Sequence, residues 1–252
     1  MSTKQRIEVM LDLETTDLAE TAAILEIAMV PFHLDGSDCM EEHIHEYIDL
    51  TSCFLEGMTF SRATQEKWME WKHSAHGLRN SEKRPIRAVI AETYNWLSAL
   101  AEKYELHIWC RGKNFDLPKY ERCVRTLLEQ EDMPYKFWNT EDARDYPHTF
   151  GVHSTDIQFE GTPHCAIDDC RHQIKQVQLA YCRQRKMMRY AELGIAFTHK
   201  DNPETLRSEF ETMTGTRLSE NQMELMLIPT KDPLPSSTAP KKTNTGFSVH
   251  DD

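Results

Sequence analysis

The stretch Ile7-Glu8-Val9-Met10-Leu11-Asp12-Leu13-Glu14 constrains this chain more than any other. Its apolar residues Ile7, Val9, Leu11 and Leu13 recur at every second position, which is the repeat of a β-strand rather than of a helix. Side chains two apart on a strand share a face, so Asp12 and Glu14 project side by side from the end of a strand whose opposite face is apolar. Two carboxylates held that close repel each other unless a proton or a cation lies between them. The pair is either a solvated strand end or half of a metal site, and residues further along decide between the two.

A polar turn after Thr16 leads into residues 22–32, whose apolar run Ile24, Leu25, Ile27, Ala28, Met29 and Val30 predicts a well-buried second strand. Asp35-Gly36-Ser37 breaks it. Residues 42–50 alternate again, with Ile44, Ile48 and Leu50 on one side and His43, His45 and Tyr47 on the other, the pattern of a half-exposed antiparallel strand. Helical spacing follows over 64–72, where Trp68 and Trp71 read first as core anchors and second as base-stacking surfaces. A longer helix is predicted over 84–104. Residues 107–110 read as a fourth strand, which puts Asp116 just past a strand end, before a helix that starts at Leu117-Pro118 and reaches about 130. A short strand over 135–138 and a small helix near 142–146 complete this part. Three strands followed by alternating helices and strands predict an α/β fold, a mixed five-stranded sheet flanked by helices.

The segment Pro163-His164-Cys165-Ala166-Ile167-Asp168-Asp169-Cys170 opens a long helix reaching about residue 190. At about 100° per residue, Ala166, Ile167, Cys170, Ile174, Val177, Ala180 and Tyr181 gather on the side that faces the sheet. Asp169 falls on the flank of that stripe and is the inward acid; Asp168 points toward water and complements the positive helix end. His164 lies in the loop just ahead. A zinc reading of His164, Cys165, Cys170 and His172 matches no common finger spacing, and one helix cannot turn the last three toward one point.

A chain of 252 residues with 39% hydrophobic content can bury one substantial core. The expected organisation is a domain over 1–195, an amphipathic helical extension over 196–228, and a disordered Pro-, Ser- and Lys-rich tail over 229–252. The opening residues do not resemble a signal peptide, and no apolar run approaches the roughly 20 residues of a spanning helix, so a soluble, cytoplasmic protein without a membrane partner is expected. Seven irregularly spaced cysteines fit reduced thiols. Twenty-nine basic against 41 acidic residues, a net charge of −12, argue against a broad basic surface for duplex DNA. Bound cations would reverse that field locally.

Asp12-Leu13-Glu14 at a first-strand end, Asn114-Phe115-Asp116 after a later strand, and His164 five residues before Asp169 resemble, in this order, the three motifs of the DnaQ-like exonucleases of the DEDDh subgroup. The resemblance spans about residues 7–190. Within that family, Trp68-Met69-Glu70-Trp71 and Lys136-Phe137-Trp138-Asn139 look like features of the branch of phage exonuclease A and its mycobacterial exoribonuclease relatives. No tyrosine stands at 164 or 165, which favours the histidine class.

The resemblance implies a ribonuclease-H-like fold and two-metal hydrolysis of phosphodiesters, releasing nucleoside monophosphates from the 3′ end of a single strand. DNA stands ahead of RNA because of the phage branch, with an exoribonuclease as the alternative. It implies two Mg²⁺ or Mn²⁺ ions about 4 Å apart, held by Asp12, Glu14, Asp116 and Asp169, with His164 as general base. Thr15 and Thr16 after the first motif, and Lys113 and Asn114 beside the second, are the expected substrate contacts. The basic run Arg183, Arg185, Lys186 and Arg189 is a solvated face or a track for the strand. The family includes dimers and monomers, so a homodimer is one expected form; in a phage the compartment would be the host cytoplasm. A non-catalytic nucleic-acid-binding module or partner subunit is the alternative of another class, against which all five catalytic positions stand intact.

Overall fold

The structure is a computed structural model describing residues 4–37, 39, 42–70 and 81–197, with 208, 211, 212 and 215. The chain divides into two compact units, residues 1–185 and 186–252, and the sheet and the candidate site belong to the first. The predicted tail over 229–252 and nearly all of the predicted extension over 196–228 lie outside the described residues.

Strand β1 (Gln5–Thr15) is buried from Ile7 to Thr15 because the sheet is covered on both faces. It pairs antiparallel with β2 (Ile24–Phe32), which pairs antiparallel with β3 (Ile44–Ile48), giving the expected meander. On its other edge β1 pairs in parallel with β5 (Tyr104–Cys110), and β5 with β6 (Thr140–Asp142). A two-residue strand, β4 (Lys83–Arg84), adds in parallel to β3 and makes six strands in the order β4-β3-β2-β1-β5-β6. The prediction of five missed β4 because two charged residues carry no alternating pattern. This is the ribonuclease-H-like mixed sheet that the motifs imply.

The helices described are α1 (Leu50–Leu55), α2 (Arg62–Glu70), α3 (Ile86–Lys103), α4 (Lys113–Leu128), α5 (Asp145–Thr149) and α6 (Ala166–Phe197). Ile7, Val9, Leu11 and Leu13 form one core with Val89, Ile90 and Leu97 of α3 and Tyr120 and Val124 of α4. Met10, on the opposite face, joins Ala28, Phe32 and Trp109 beneath Ala166, Ile167, Cys170, Ile174 and Val177 of α6. Full burial of each Val, Leu, Ile, Phe or Met side chain among these stabilises the fold by about 1.5–3 kcal/mol. The acids Asp12 and Glu14 share the face of Met10, so they lie under α6. Among the described residues no helix is long and apolar enough to cross a membrane.

Three local predictions differ from the structure. Helix α4 begins at Lys113, so Asp116 lies in its first turn and Pro118 inside it. Residues 135–138 form no strand: a 3₁₀ turn (Phe137–Asn139) leads into β6, with Phe137 and Trp138 exposed. Helix α2 buries no residue, and Trp68 is half-buried rather than a core anchor; Trp71 lies outside the described residues.

Candidate functional site

The pairing of β1 with β5 ends at Met10 opposite Trp109, whereas its pairing with β2 runs on to Thr15 opposite Ile24. The acidic end of β1 is therefore open on the β5 side, and α4 enters there. Gly112 takes a left-handed conformation (φ 84°), which glycine adopts without steric cost, and turns the chain from β5 into α4. Asp142 at the end of β6 accepts the N–H groups of Gly112 and Lys113 at 3.3 and 3.0 Å and those of Arg144 and Asp145 at 2.8 and 3.2 Å. Burial acts the other way, yet these four bonds hold its carboxyl below the ordinary range. In the first turn of α4, Asp116 is buried and lines the cleft beside the open end of β1.

The start of α6 supplies the remaining groups. Glu26 of β2 accepts the N–H of Ala166 at 3.0 Å, and the carbonyl of Cys165 accepts from Asp168 and Asp169 at 3.0 and 2.9 Å. His164 adopts a left-handed backbone (φ 60°) and donates its N–H to Asp169 Oδ2 at 2.9 Å. Asp168, expected to face water, is half-buried and accepts the N–H of Thr162 at 2.9 Å. It fills the space beside Gly161, where a Cβ would fall 2.5 Å from its carboxyl carbon. One turn beyond Asp169, Gln173 Nε2 donates to Asp12 Oδ1 at 2.8 Å.

Asp12, Glu14, Asp116, His164 and Asp169 together line one cleft of about 600 Å³. Ligand atoms of Glu14, His164 and Asp169 lie within 4.8 Å of one another. Burial, reinforced by the charge of Asp169, pushes Asp12 up to about 7, and burial pushes Asp169 up to about 6 against the opposing His164 N–H and Arg111. Glu14 and Asp116 are also raised well above the carboxylate range, first by burial and then by the charge of Asp12. Arg111 and Arg144 line the same cleft and offset part of this charge. Burial lowers the imidazole of His164 below its ordinary value.

This donor set fits hard divalent cations. Four carboxylates crowded into one desolvated cleft repel one another, and Mg²⁺ or Mn²⁺ prefers such oxygen ligands. The side-chain oxygen of Gln173 is buried there without a hydrogen-bond partner, as suits an acceptor for metal-bound water.

The four expected substrate contacts lie elsewhere. Thr15 Oγ1 donates to the carbonyl of Asp17, and Thr16 Oγ1 donates to those of Ala23 and Thr59. Lys113 Nζ donates to the carbonyl of Thr140 at 3.2 Å, and Asn114 is exposed on α4. None of the four lines the cleft. Of the basic run, Arg183 holds the loop before α6 through Asp156 and the carbonyl of Gly151. Cys170 does not join a zinc group, since its thiol faces the carbonyls of Met10 and Ala28 beneath α6.

Sequence reasoning missed Gln173, Arg144 and the placement of Trp68. Gln173 was within reach, four residues after Asp169 on one helix face; Arg144 and Trp68 carried no such signal. The indole of Trp68 donates to the Thr15 carbonyl at 3.0 Å and stands edge-on to His164, ring centres 6.3 Å apart.

The family model of the 3′–5′ exoribonuclease Rv2179c-like domain matches residues 7–181, a span that includes all five cleft residues. The chain belongs to this family. The Rv2179c-like match makes it a member of a 3′–5′ exonuclease family, with the candidate site inside the matched span. No curated protein matches the chain. Among solved structures, E. coli exonuclease I in complex with a dT13 oligonucleotide aligns with a TM-score of 0.45 and 13% identity, covering 81% of this chain and 46% of that one. The zinc-bound form of the E. coli exonuclease I complex with single-stranded DNA aligns with a TM-score of 0.47 and 14% identity, covering 81% and 45%. The chain thus spans less than half the length of these exonuclease I chains.

Proposed function

We propose that this chain removes nucleoside monophosphates one at a time from the 3′ end of single-stranded RNA, using divalent cations held by Asp12, Glu14, Asp116 and Asp169. The observation that carries this reading is the meeting of four acids from three distant segments with His164 in one cleft. The family name shifts the substrate to RNA from the DNA suggested by Trp68-Met69-Glu70-Trp71 and Lys136-Phe137-Trp138-Asn139, the stretches behind the likeness to phage exonuclease A.

When bound, the cations supply the positive charge that holds attacking water and leaving oxygen on opposite sides of the phosphorus. His164, kept neutral near pH 7 by burial, takes the proton of that water at a ring nitrogen. Its loop is fixed by the bond from its own N–H to Asp169, and Gln173 holds the Asp12 carboxylate in one orientation. Arg111 and Arg144 meet the phosphates of the bound strand, a role the sequence suggested for Lys113 and Asn114. Trp68 offers an aromatic wall beside His164 for the terminal base.

The test is shortening of matched 5′-labelled RNA and DNA oligomers, single-stranded and duplex, with Mn²⁺ and with chelator. One-nucleotide steps on single-stranded RNA that stop with chelator are expected. Faster degradation of DNA would replace the substrate class, and no metal-dependent shortening of any oligomer would remove the proposal.

A further inference from the structure

Next to the acidic cleft, on the same face of the sheet, three donors of different chemistry converge. Glu26 of β2 is 1% exposed and opposite Glu14 in the strand ladder. Its Oε1 lies 2.7 Å from Nε2 of His45 on β3 and 3.4 Å from Sγ of Cys165 at the start of α6. Ligand atoms of all three lie within 4.8 Å of one another. We propose that Glu26, His45 and Cys165 form a second metal site, taking a borderline-soft divalent cation of the zinc class through one oxygen, one nitrogen and one sulfur.

Donor chemistry separates the two sites. The cleft offers carboxylates and suits Mg²⁺ or Mn²⁺, whereas thiolate with imidazole selects zinc-class ions. The short contacts that now link the three side chains mark where the ion enters. On binding, the thiol proton of Cys165 leaves to solvent, the proton shared between His45 Nε2 and Glu26 Oε1 is displaced so that the ring carries one proton, on Nδ1, and bonds form from the ion to Sγ, Nε2 and the Glu26 carboxylate; a water completes the tetrahedron. The His45 side chain is 24% exposed and Cys165 is half-buried, which leaves a path for the ion. Because Glu26 also accepts the N–H of Ala166, the bound ion pins the first turn of α6, and with it the loop of His164, to strands β2 and β3.

The test is a Co²⁺ titration of the full chain, read by the near-ultraviolet thiolate-to-cobalt charge-transfer band. Oxygen ligands in the acidic cleft give no such band, so Co²⁺ bound there stays silent. The expected result is a saturable band whose plateau corresponds to one thiolate–cobalt bond per chain and which is lost in Cys165→Ser, weakens in His45→Gln and persists in Asp12→Asn. Circular dichroism checks that each variant is folded, and His45→Gln decides if Cys165→Ser is not. Absence of the band in the folded wild type, its persistence in folded Cys165→Ser or undiminished in His45→Gln, or its loss in Asp12→Asn would overturn the proposal.

Discussion

Gln173 Nε2 donates to Asp12 Oδ1 across 2.8 Å, a buried bond that ties α6 to the acidic end of β1. A side chain that fixes a ligating carboxylate typically contributes about 10–100-fold to metal affinity. Gln173→Ala is expected to weaken Mn²⁺ binding by about that factor, with turnover recovering as Mn²⁺ is raised. Calorimetric titration beside a metal-dependence curve checks this; unchanged affinity would show that Asp12 needs no such partner.

His164 sits at the rim of the acids with its imidazole lowered by burial. As the base it should contribute about 10²–10⁴-fold to the rate. His164→Gln is expected to lose activity on that scale while Mn²⁺ affinity measured by calorimetry stays within a few-fold of wild type. A loss confined to metal affinity would make His164 a ligand rather than a base.

The acids predict an unusual dependence of stability on pH. Asp12 is raised to about 7 and Asp169 to about 6 from 3.8. Without metal, the folded chain therefore holds protons that the unfolded chain has released, and their stabilisation is complete below the unfolded value. It is lost as pH rises through about 6 to 7. The effect is on the order of a few kcal/mol. In chelator, Tm is expected to fall between roughly pH 5 and roughly pH 8, and saturating Mn²⁺ should remove the fall. Asp12→Asn should flatten the slope without metal; a slope that neither Mn²⁺ nor this substitution alters would contradict the crowding of acids.

Gly161 is held at φ 101° with Asp168 against its open side. Gly161→Ala meets both a left-handed backbone and a Cβ clash 2.5 Å from a carboxyl carbon. Conformational strain of this kind costs about 1–3 kcal/mol, and the loop it perturbs carries His164. Lower Tm together with lower kcat is expected. Unchanged values of both would mean that the loop relaxes freely.

How much of this was legible in the sequence depended on periodicity. Strands β1 to β3 declared themselves because Ile7 to Leu13, Ile24 to Val30 and Ile44 to Ile48 each carry a pattern set by burial. The inward stripe of α6 was legible for the same reason, and Asp169 with it. Residues Thr140–Asp142 were too short to show a period, so the aromatic run just before them was read as the strand in their place. Pro118 suggested a helix start, but it stands inside α4 and removes only the bond to the carbonyl of Asn114, an exposed residue where water can substitute. The spatial partners Arg111 and Arg144 depend on tertiary placement, which local spacing does not encode. The same holds for Asp168, whose outward wheel position did not anticipate a loop folding back onto it.

The central claim is that carboxylates from β1, α4 and α6 act as one metal-holding unit, and Asp116 tests it best because it is the one acid that α4 brings to the cleft. The decisive measurement is the rate of Mn²⁺-dependent mononucleotide release from a single-stranded 3′ end by Asp116→Asn, with folding verified. The account predicts a fall of at least about 10²-fold; release at the wild-type rate would contradict it.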